Sequence, residues 1–576
     1  MRRITALIIA VALFSTASGR TTAAATLPPL YVLRVYVPTA QDVTRLTSGG
    51  WDVLEARGMI GGVPYLLVMG GDATAARLRE QGFRVEIDHA EPMTGPLAPS
   101  TYDGGYRTVA EHYQHLDTVA TLHPDLALTV TYGVSWLKAQ GSGGYDLRAI
   151  CITKRQPSDC APAPGGKPRF FMMAAIHARE LTAAELAWRW IDLLVNGYGV
   201  DADITALLNN SEMWVVPLAN PDGRAIVERG GSAPYMQRKN ANNTLGACST
   251  PGAYDYSYNQ PGVDLNRNAS FQWGVSGAST YPCDQTYQGA GAASEPEEQA
   301  LETLMTGLFG RQRIPTDTNG LAAVPITATG VMLTLHSYSD QVLLPWGYTS
   351  DHAPNDASLR ALAFHMSFYN HYMTGQPREV LYAASGTSDD WAYGVLGVPG
   401  FTFEVGPLSG ICADFAPPYS CQDDTFWPLN RAAFLYAAKV ARQPYALALG
   451  PTVSVPQSAL VAPLGASAVF TALVAADTLG ANGIGRPTPA GIGAAQYSID
   501  APPWLTTTTP YSMSAAGGSF GLPEVTVSGT ITAGLPAGLH LLYVRGRDIN
   551  GNWGPFTARW LLVPRTELRL IAVMRN

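Results

Sequence analysis

The chain has 576 residues, of which 47% are hydrophobic and 14% are charged, and its formal net charge at pH 7 is -8. This length exceeds what one ordinary hydrophobic core serves, so we expect two or three domains. No long run of Lys and Arg is present that could follow a phosphate backbone, which excludes nucleic acid as an expected partner.

The first 25 residues have the order of a secretory signal peptide. Arg2 and Arg3 precede an apolar stretch from Ile4 to Phe14, and small residues follow. The apolar stretch is too short to span a bilayer, and no later segment approaches twenty uninterrupted apolar residues. We therefore predict a secreted protein without a membrane span; an N-terminal membrane anchor is the alternative.

Residues 28–95 are expected to form a small α/β unit. The runs at 30–37 and 63–71 are typical of strands, residues 72–82 are typical of a helix, and another strand-like run follows at 83–87. Prolines and small residues at 89–100 then indicate a linker.

Two further domains are predicted after the linker. Between residues 101 and 445, helical stretches alternate with short apolar runs such as "PRFFMMAAI" and "FTFEV", which favours an α/β fold with a largely parallel sheet covered by helices on both faces. Residues 451–566 lack helical patterns and contain strand-like runs with tight turns, which predicts an Ig-like β-sandwich. A disordered linker is the alternative for this last segment.

The six cysteines fit an exported protein, in which an even number favours disulfides. Their order along the chain indicates the pairs Cys151–Cys160, Cys248–Cys283 and Cys412–Cys421. The sequence alone does not prove this connectivity. Zinc binding through cysteine is not expected, because no CxxC spacing occurs.

One histidine of the ten has a glutamate three positions later: His177 and Glu180, in "AAIHARELTAAELAWRW". On a helix or at a helix entry this spacing brings both side chains to one face, where they could share one cation. The pair alone is equally compatible with a surface salt bridge at the start of an amphipathic helix.

A catalytic zinc needs three protein ligands and an open position for water, so a third ligand must come from elsewhere in the chain. His336 is the candidate because it ends the strand-like run "VMLTLH", and α/β sheets place their functional groups at such strand ends. A histidine satisfied within the core is the alternative.

Two other motifs offer polar groups that such a site needs. In "GVDLNRNAS", Asp264 could accept a hydrogen bond from a ligand histidine, and Asn266 with Arg267 forms a fork that suits a carboxylate. A solvated turn explains the same residues. Glu404 ends a buried strand in "FTFEVG", which makes it a candidate general base; a buried salt bridge is the alternative.

Taken together, the motifs of residues 101–444 resemble the zinc metallocarboxypeptidases, the family that includes pancreatic carboxypeptidases A and B. They stand in that family's order: His177-Ala-Arg-Glu180, Asn220-Pro-Asp-Gly223, Arg238, Asp264-Leu-Asn266-Arg267-Asn, His336-Ser-Tyr338, Tyr382 and Phe401-Thr-Phe-Glu404. The resemblance implies a mixed central sheet with helices on both faces and a peptide hydrolase that depends on one zinc ion.

The resemblance also implies roles for the catalytic residues. It makes His177, Glu180 and His336 the zinc ligands, with water in the fourth position. It makes Glu404 the general base that deprotonates this water and later gives the proton to the leaving amine. Arg238 is then the group that polarises the scissile carbonyl.

For the substrate, the resemblance implies a clamp on a free C-terminal carboxylate. Asn266, Arg267 and Tyr382 match this clamp, and Arg179 lines the neighbouring subsite. Tyr338 is expected among the substrate-binding residues. A bidentate arginine explains physically why a free C-terminus is required.

In "LYAASGTSDDWAY", the resemblance implies that Asp389 lies at the floor of the pocket that binds the terminal side chain of the substrate. An aspartate there favours Lys and Arg, because a negative floor attracts a cation. Two alternatives stay open: Asp389 only caps the following turn, or the neighbouring Asp390 occupies the position instead.

We therefore predict a secreted zinc carboxypeptidase that acts on peptides or proteins with a free C-terminus and favours Lys and Arg. A zinc amidase that cleaves cell-wall peptides or N-acyl amino acids is one alternative. A surface-binding protein that works through the C-terminal β-domain is the other. Residues 28–95 have the position of the family's inhibitory pro-segment, and the C-terminal domain is a candidate for attachment to a surface or polymer, or simply a folding aid.

Overall fold

The computed structural model describes residues 30–91, 101–102, 105–232, 234–246, 248, 260–314, 316–317, 319–457 and 460–565. The predicted signal peptide at 1–25 and most of the predicted linker at 89–100 lie outside these residues. Among the residues that are described, no helix is both long and apolar enough to cross a membrane.

The N-terminal part is a four-stranded antiparallel sheet with the strand order β2-β3-β1-β4. Its elements are β1 (Leu30–Tyr36), α1 (Ala40–Thr47), β2 (Asp52–Ile60), β3 (Val63–Gly70), α2 (Asp72–Glu80) and β4 (Val85–Glu91). Successive side chains of a strand point to opposite faces. One face of the sheet packs with both helices around Leu33 and Leu66, and the other packs with Tyr338 and Phe415 of the next part of the chain.

The central part is an eight-stranded mixed sheet with the order β11-β10-β12-β9-β7-β8-β6-β5. Its strands are β5 (Ala127–Val134), β6 (Asp146–Ile152), β7 (Arg169–Ala174), β8 (Glu212–Val216), β9 (Val331–His336), β10 (Gln341–Leu343), β11 (Met373–Gly375) and β12 (Gly400–Glu404). The neighbours β12, β9, β7 and β8 run parallel, so their carboxyl ends lie at one edge. The predicted mixed α/β sheet is confirmed.

Helices cover this sheet and supply the rest of its core. They are α3 (Val109–Leu122), α4 (Trp136–Ala139), α5 (Leu181–Gly197), α6 (Ala202–Asn210), α7 (Pro221–Glu228), α8 (Pro296–Phe309), α9 (Asp356–Asn370), α10 (Pro377–Val380), α11 (Ser388–Trp391), α12 (Trp427–Val440) and α13 (Pro444–Leu447). Strands β7, β8, β9 and β12 are buried along their whole length, which explains why they appear in the sequence as continuous apolar runs.

The C-terminal part consists of strands, as predicted: β13 (Thr452–Ser454), β14 (Leu460–Val461), β15 (Ala468–Ala475), β16 (Ile492–Ile499), β17 (Tyr511–Ala515), β18 (Glu524–Ile531), β19 (Gly538–Asp548) and β20 (Thr557–Val563). Strand β17 pairs with β16 through its first half and with β18 through its second half. Side chains from the strands on either side of β17, such as Phe470 of β15 and Leu542 of β19, share one hydrophobic core. Whether the chain divides into domains at the predicted boundaries stays a prediction.

Three disulfides join the cysteines in the predicted pairs: Cys151–Cys160, Cys248–Cys283 and Cys412–Cys421. The last pair anchors the loop that carries Phe415, which packs against the N-terminal sheet. The cysteines are therefore structural, and none is free to bind a metal.

Candidate active site

The site lies at the edge where the parallel strands β7, β9 and β12 end. The loop after β7 carries His177, and Glu180 directly precedes α5, so the predicted helix entry is confirmed. His336 is the last residue of β9. Because β7 and β9 are parallel neighbours in register, with Ala174 opposite Leu335, their ends bring these three side chains together.

His177, Glu180 and His336 are buried, and their possible ligand atoms all lie within 4.8 Å of one another. The two Nδ1 atoms of the histidines are 3.1 Å apart, and Glu180 approaches them with oxygens at 2.7 Å and 3.1 Å. Each Nε2 atom has a buried hydrogen-bond partner: Asp264 Oδ1 lies 3.1 Å from Nε2 of His177, and Thr334 Oγ1 lies 3.0 Å from Nε2 of His336. Two imidazole nitrogens and a carboxylate directed at one point are the donor set of a catalytic zinc site, so the residues fit zinc.

Asp264 links this cluster to Arg238. Its Oδ1 atom accepts the backbone N–H of Asn266, and its Oδ2 atom accepts Nε–H of Arg238 at 3.1 Å. Burial alone would raise the pKa of Asp264, but Arg238 and His177 hold it well below its ordinary value. Asp264 is thus a permanent carboxylate that orients one imidazole and one guanidinium.

Glu404 lies beside the cluster because β12 and β9 are parallel and pair it directly with His336. It is 2% exposed, and its Oε2 atom has no hydrogen-bond partner among the described residues. Burial, with the nearby Glu55 and Glu180 carboxylates, raises the pKa of Glu404 well above its ordinary value. A carboxyl group with a raised pKa and a free oxygen is suited to accept and return a proton.

The predicted carboxylate clamp lies on the next loop. Arg267 donates through Nε to Gly277 O at 2.9 Å and through Nη1 to Asn266 O at 2.8 Å, and no described group accepts from its Nη2. The Asn266 side chain accepts the backbone N–H of Ser388 at 3.1 Å. Asn266 is therefore held by Ser388, the first residue of α11, the helix that also carries Asp389.

Asp389 and Asp390 have different surroundings. Asp390 accepts the backbone N–H groups of Gly347 and Tyr348, and burial together with Asp389 raises the pKa of Asp390. Asp389 is 4% exposed; among the described residues its side chain accepts only the hydroxyl of Thr402, in the strand that ends at the site, and it takes part in no ion pair. Asp390 therefore supports a turn, whereas the charge of Asp389 is left without a cation.

Strand β2 of the N-terminal sheet covers this site, a feature that the sequence did not reveal. Arg179 donates two hydrogen bonds to Asp52, at 2.5 Å and 2.7 Å, instead of facing an open subsite. Glu55 Oε1 lies 3.5 Å from Arg238 Nη1 and 3.4 Å from the Tyr382 hydroxyl. Two carboxylates of the same chain thus contact side chains to which the resemblance assigns roles toward the substrate.

The tyrosines of the site are also in contact with the N-terminal sheet. Tyr382 donates to Val53 O at 3.1 Å, and burial and Glu55 raise the pKa of its phenol well above the ordinary value. Tyr338 packs edge-on against Phe415, with ring centroids 5.2 Å apart. The only sequence signal for Asp52 and Glu55 is two acids in the otherwise apolar stretch "WDVLEA", and no strand was predicted there.

Comparison with known proteins decides which family this site belongs to. Residues 112–423 match the zinc carboxypeptidases of the M14 peptidase class, which is more than half of the chain. The chain belongs to the zinc carboxypeptidase family. It is therefore a peptide hydrolase that uses zinc, and His177, Glu180 and His336 form the group that could hold the metal.

Named relatives agree with this assignment. A zinc carboxypeptidase of Simulium vittatum is 29% identical over 316 residues, which cover 53% of this chain and 87% of that protein. Carboxypeptidase A2 of Mus musculus is 29% identical over 311 residues, covering 52% of this chain and 63% of that protein. A zinc carboxypeptidase of Saccharothrix mutabilis subsp. capreolus is 27% identical over 408 residues, covering 66% of this chain and 82% of that protein.

Solved structures agree in fold. Carboxypeptidase A of Helicoverpa armigera superposes with a TM-score of 0.54 at 20% identity, covering 72% of this chain and 97% of that chain. Thrombin-activatable fibrinolysis inhibitor superposes with a TM-score of 0.51 at 21% identity, covering 72% of this chain and 99% of that chain. At these identities the likeness concerns the fold.

Proposed function

We propose that this zinc carboxypeptidase removes C-terminal Lys and Arg residues from peptides or proteins outside the cell. The observation that supports the preference is Asp389, a buried carboxylate without a cationic partner among the described residues. Because a lone buried charge is costly, a substrate cation that reaches it gains more than an apolar side chain would. The backbone contacts of Asp390 support the choice of Asp389 as the pocket charge.

The proposed reaction begins with proton transfer to Glu404 from a water molecule. A bound zinc supplies a Lewis acid that lowers the pKa of water to about 7 and polarises the scissile carbonyl. The water oxygen attacks the carbonyl carbon, and Arg238 donates hydrogen bonds to the oxyanion that develops, an interaction worth about 3 kcal/mol. Glu404 then gives its proton to the leaving amine, the C–N bond breaks, and a shortened peptide and a free amino acid remain.

The clamp determines which peptide bond is cleaved. Arg267 donates through Nε and Nη1 to the backbone oxygens of Gly277 and Asn266, while its Nη2 has no acceptor in the part of the chain that the structure describes. A guanidinium held in this way favours a terminal carboxylate, since it presents donors of fixed geometry to two oxygens. Tyr382 is proposed as the third clamp residue once it is released from Val53 and Glu55.

The N-terminal unit is proposed to be inhibitory in the uncleaved chain. The contacts of Asp52 with Arg179 and of Glu55 with Arg238 and Tyr382 support this role, because they engage proposed substrate-binding groups with carboxylates of the protein itself. Apolar packing of both faces of the N-terminal sheet against the central part of the chain helps to hold the sheet over the site.

The experiment that tests the activity uses peptides that differ only in their last residue. We expect release of free lysine and arginine, loss of this release with a chelator, and its return with zinc. Cleavage restricted to muropeptides or N-acyl amino acids would instead support the amidase alternative. A function that persists in the Glu404→Gln protein would support the surface-binding alternative.

The Asp389→Ile substitution should reverse the preference. We expect kcat/KM for Lys and Arg ends to fall by about 100-fold or more, because the cation loses its buried partner, and kcat/KM for aliphatic ends to rise. The measurement is kcat/KM for a peptide panel before and after substitution. Asp390→Asn is the matched control, expected to lower kcat/KM for all ends alike; a variant at 389 that keeps the basic preference contradicts the pocket assignment.

Secretion is supported by three disulfides in the described residues and by the order of residues 1–25. The proposal predicts a mature N-terminus after the small residues that follow the apolar stretch, which N-terminal sequencing of the exported protein checks. Attachment to a surface or polymer through the C-terminal part stays a prediction.

A further inference from the structure

A loop of the C-terminal part lies against the edge of the central sheet. This loop, residues 478–486, is named the docking segment, and it connects β15 to β16. Beside the edge strand β11, Thr374 N donates to Asn482 O at 3.3 Å, and Ile484 N donates to Thr374 O at 2.8 Å. Gly480 N also donates to Phe364 O of α9 at 2.7 Å. The docking segment therefore covers an edge of the sheet that would otherwise expose unpaired backbone groups.

Arg360 of α9 ties the docking segment to α10. It is 4% exposed and donates through Nη1 to Ile484 O at 2.6 Å. The same guanidinium binds Glu379 through Nη1 at 3.0 Å and Nη2 at 2.9 Å, and it binds Asp356 through Nε at 2.9 Å. A buried bidentate pair of this kind fixes both position and orientation.

Glu379 in turn fixes the start of α10. Its Oε2 atom accepts the backbone N–H of Gln376 at 2.8 Å, which completes a capping box at the helix N-terminus. Helix α10 ends at Val380, and Leu381 N closes it by donating to Pro377 O at 2.6 Å. Tyr382 is the next residue, so the place of α10 determines where its phenol can reach.

We propose that the docking segment positions Tyr382 through Arg360 and Glu379, so that the C-terminal part of the chain is a working component of the substrate clamp. Arg360 and Glu379 are positioning residues, because they act through α10 and do not touch the substrate. The inference rests on the proposed role of Tyr382 as a ligand of the terminal carboxylate. It gives the C-terminal part a task within the enzyme, which neither an attachment module nor a folding aid would have.

Two glycines of the C-terminal part provide a matched pair of variants. Gly485 and Gly465 both have φ of +74°, so an alanine strains the backbone at either position. A Cβ at Gly485 would lie 2.8 Å from Cδ and Nη1 of Arg360, whereas a Cβ at Gly465 meets nothing within 4 Å. Gly485→Ala therefore displaces the guanidinium, and Gly465→Ala reproduces only the strain.

The first readout is hydrogen–deuterium exchange of the full-length chain, which needs no peptidase activity. For Gly485→Ala we expect amides of residues 378–382 to exchange about tenfold faster than in Gly465→Ala, with β7 and β9 unchanged. Glu379→Gln, which keeps an acceptor for Gln376 but loses the charge, should give the same local change. Equal exchange in both glycine variants, or faster exchange throughout the sheet, would overturn the proposal.

The second readout is steady-state kinetics of the zinc-loaded full-length enzyme in a Glu55→Gln background, which loosens the inhibitory contact. We expect Gly485→Ala to raise KM for a peptide ending in arginine by about tenfold while kcat changes little, because binding of the terminal carboxylate is weakened. An unchanged KM, or a fall in kcat alone, would contradict the proposal. Local exchange changes in a protein that hydrolyses no peptide would support the coupling and count only against the proposed function.

Discussion

Replacing Glu404 by Gln will lower kcat for removal of the C-terminal residue by about 10²–10⁴-fold. The amide cannot accept the proton of the attacking water, although it keeps the size of the side chain. Zinc binding should persist, because His177, Glu180 and His336 are untouched. The measurement pairs kcat with the zinc content of the same preparation, so that loss of the base is separated from loss of the metal.

Glu298→Gln is the matched control for this substitution. Glu298 is also a buried glutamate, and burial with the charges of Glu302 and Glu297 raises its pKa well above the ordinary value, yet it lies on α8, which carries none of the predicted site residues. Its substitution should leave kcat unchanged and increase the free energy of unfolding at pH 7. The sign follows because a carboxyl group whose pKa is raised in the folded state lowers the free energy of unfolding once the pH exceeds its pKa in the unfolded chain. A neutral glutamine does not carry this penalty. Equal activity of Glu404→Gln and the wild-type enzyme would contradict the assigned role.

Combining Asp52→Asn with Glu55→Gln will raise the activity of the full-length chain by about 10²-fold or more. The substitutions remove one partner of the buried Asp52–Arg179 pair and the carboxylate near Arg238 and Tyr382. Loss of these contacts shifts the equilibrium toward an uncovered site. The measurement is kcat/KM of the uncleaved protein, with its intact mass verified after the assay.

A control for this second prediction lies on the same sheet. Glu86 forms an ion pair with Arg84 at 2.6 Å and accepts from Tyr36, outside the active site. Glu86→Gln should therefore leave kcat/KM of the full-length chain unchanged. If the double variant is no more active than the wild type while its N-terminal sheet stays folded, the covering strand is not what limits activity.

The parts of the fold that the sequence predicted correctly are those with strong local patterns. Strands β7, β8, β9 and β12 are buried on both faces and so appear as uninterrupted apolar runs. His336 and Glu404 end two of these strands, and parallel pairing makes them neighbours. The other candidate site residues were predicted from the order of the short motifs, through the resemblance to the zinc metallocarboxypeptidases.

The parts that could not be predicted depend on contacts between distant segments. Strand β2 has a register shift against β3 between Val53 and Arg57, which interrupts the alternation that marks a strand. The contacts of Asp52 with Arg179 and of Glu55 with Arg238 form only when β2 lies over the site, so the sequence alone does not reveal them. The docking segment likewise binds mainly through backbone groups. Every residue carries a backbone, so residue types do not indicate where such contacts form.

A crystal structure of the zinc-loaded protein, with anomalous diffraction at the zinc edge, tests whether His177, Glu180 and His336 hold one zinc ion. We expect a single strong anomalous peak about 2.0–2.2 Å from Nδ1 of both histidines and from a Glu180 oxygen. A zinc-loaded crystal whose anomalous peak lies elsewhere, with the side chain of His336 turned away from His177, would contradict it.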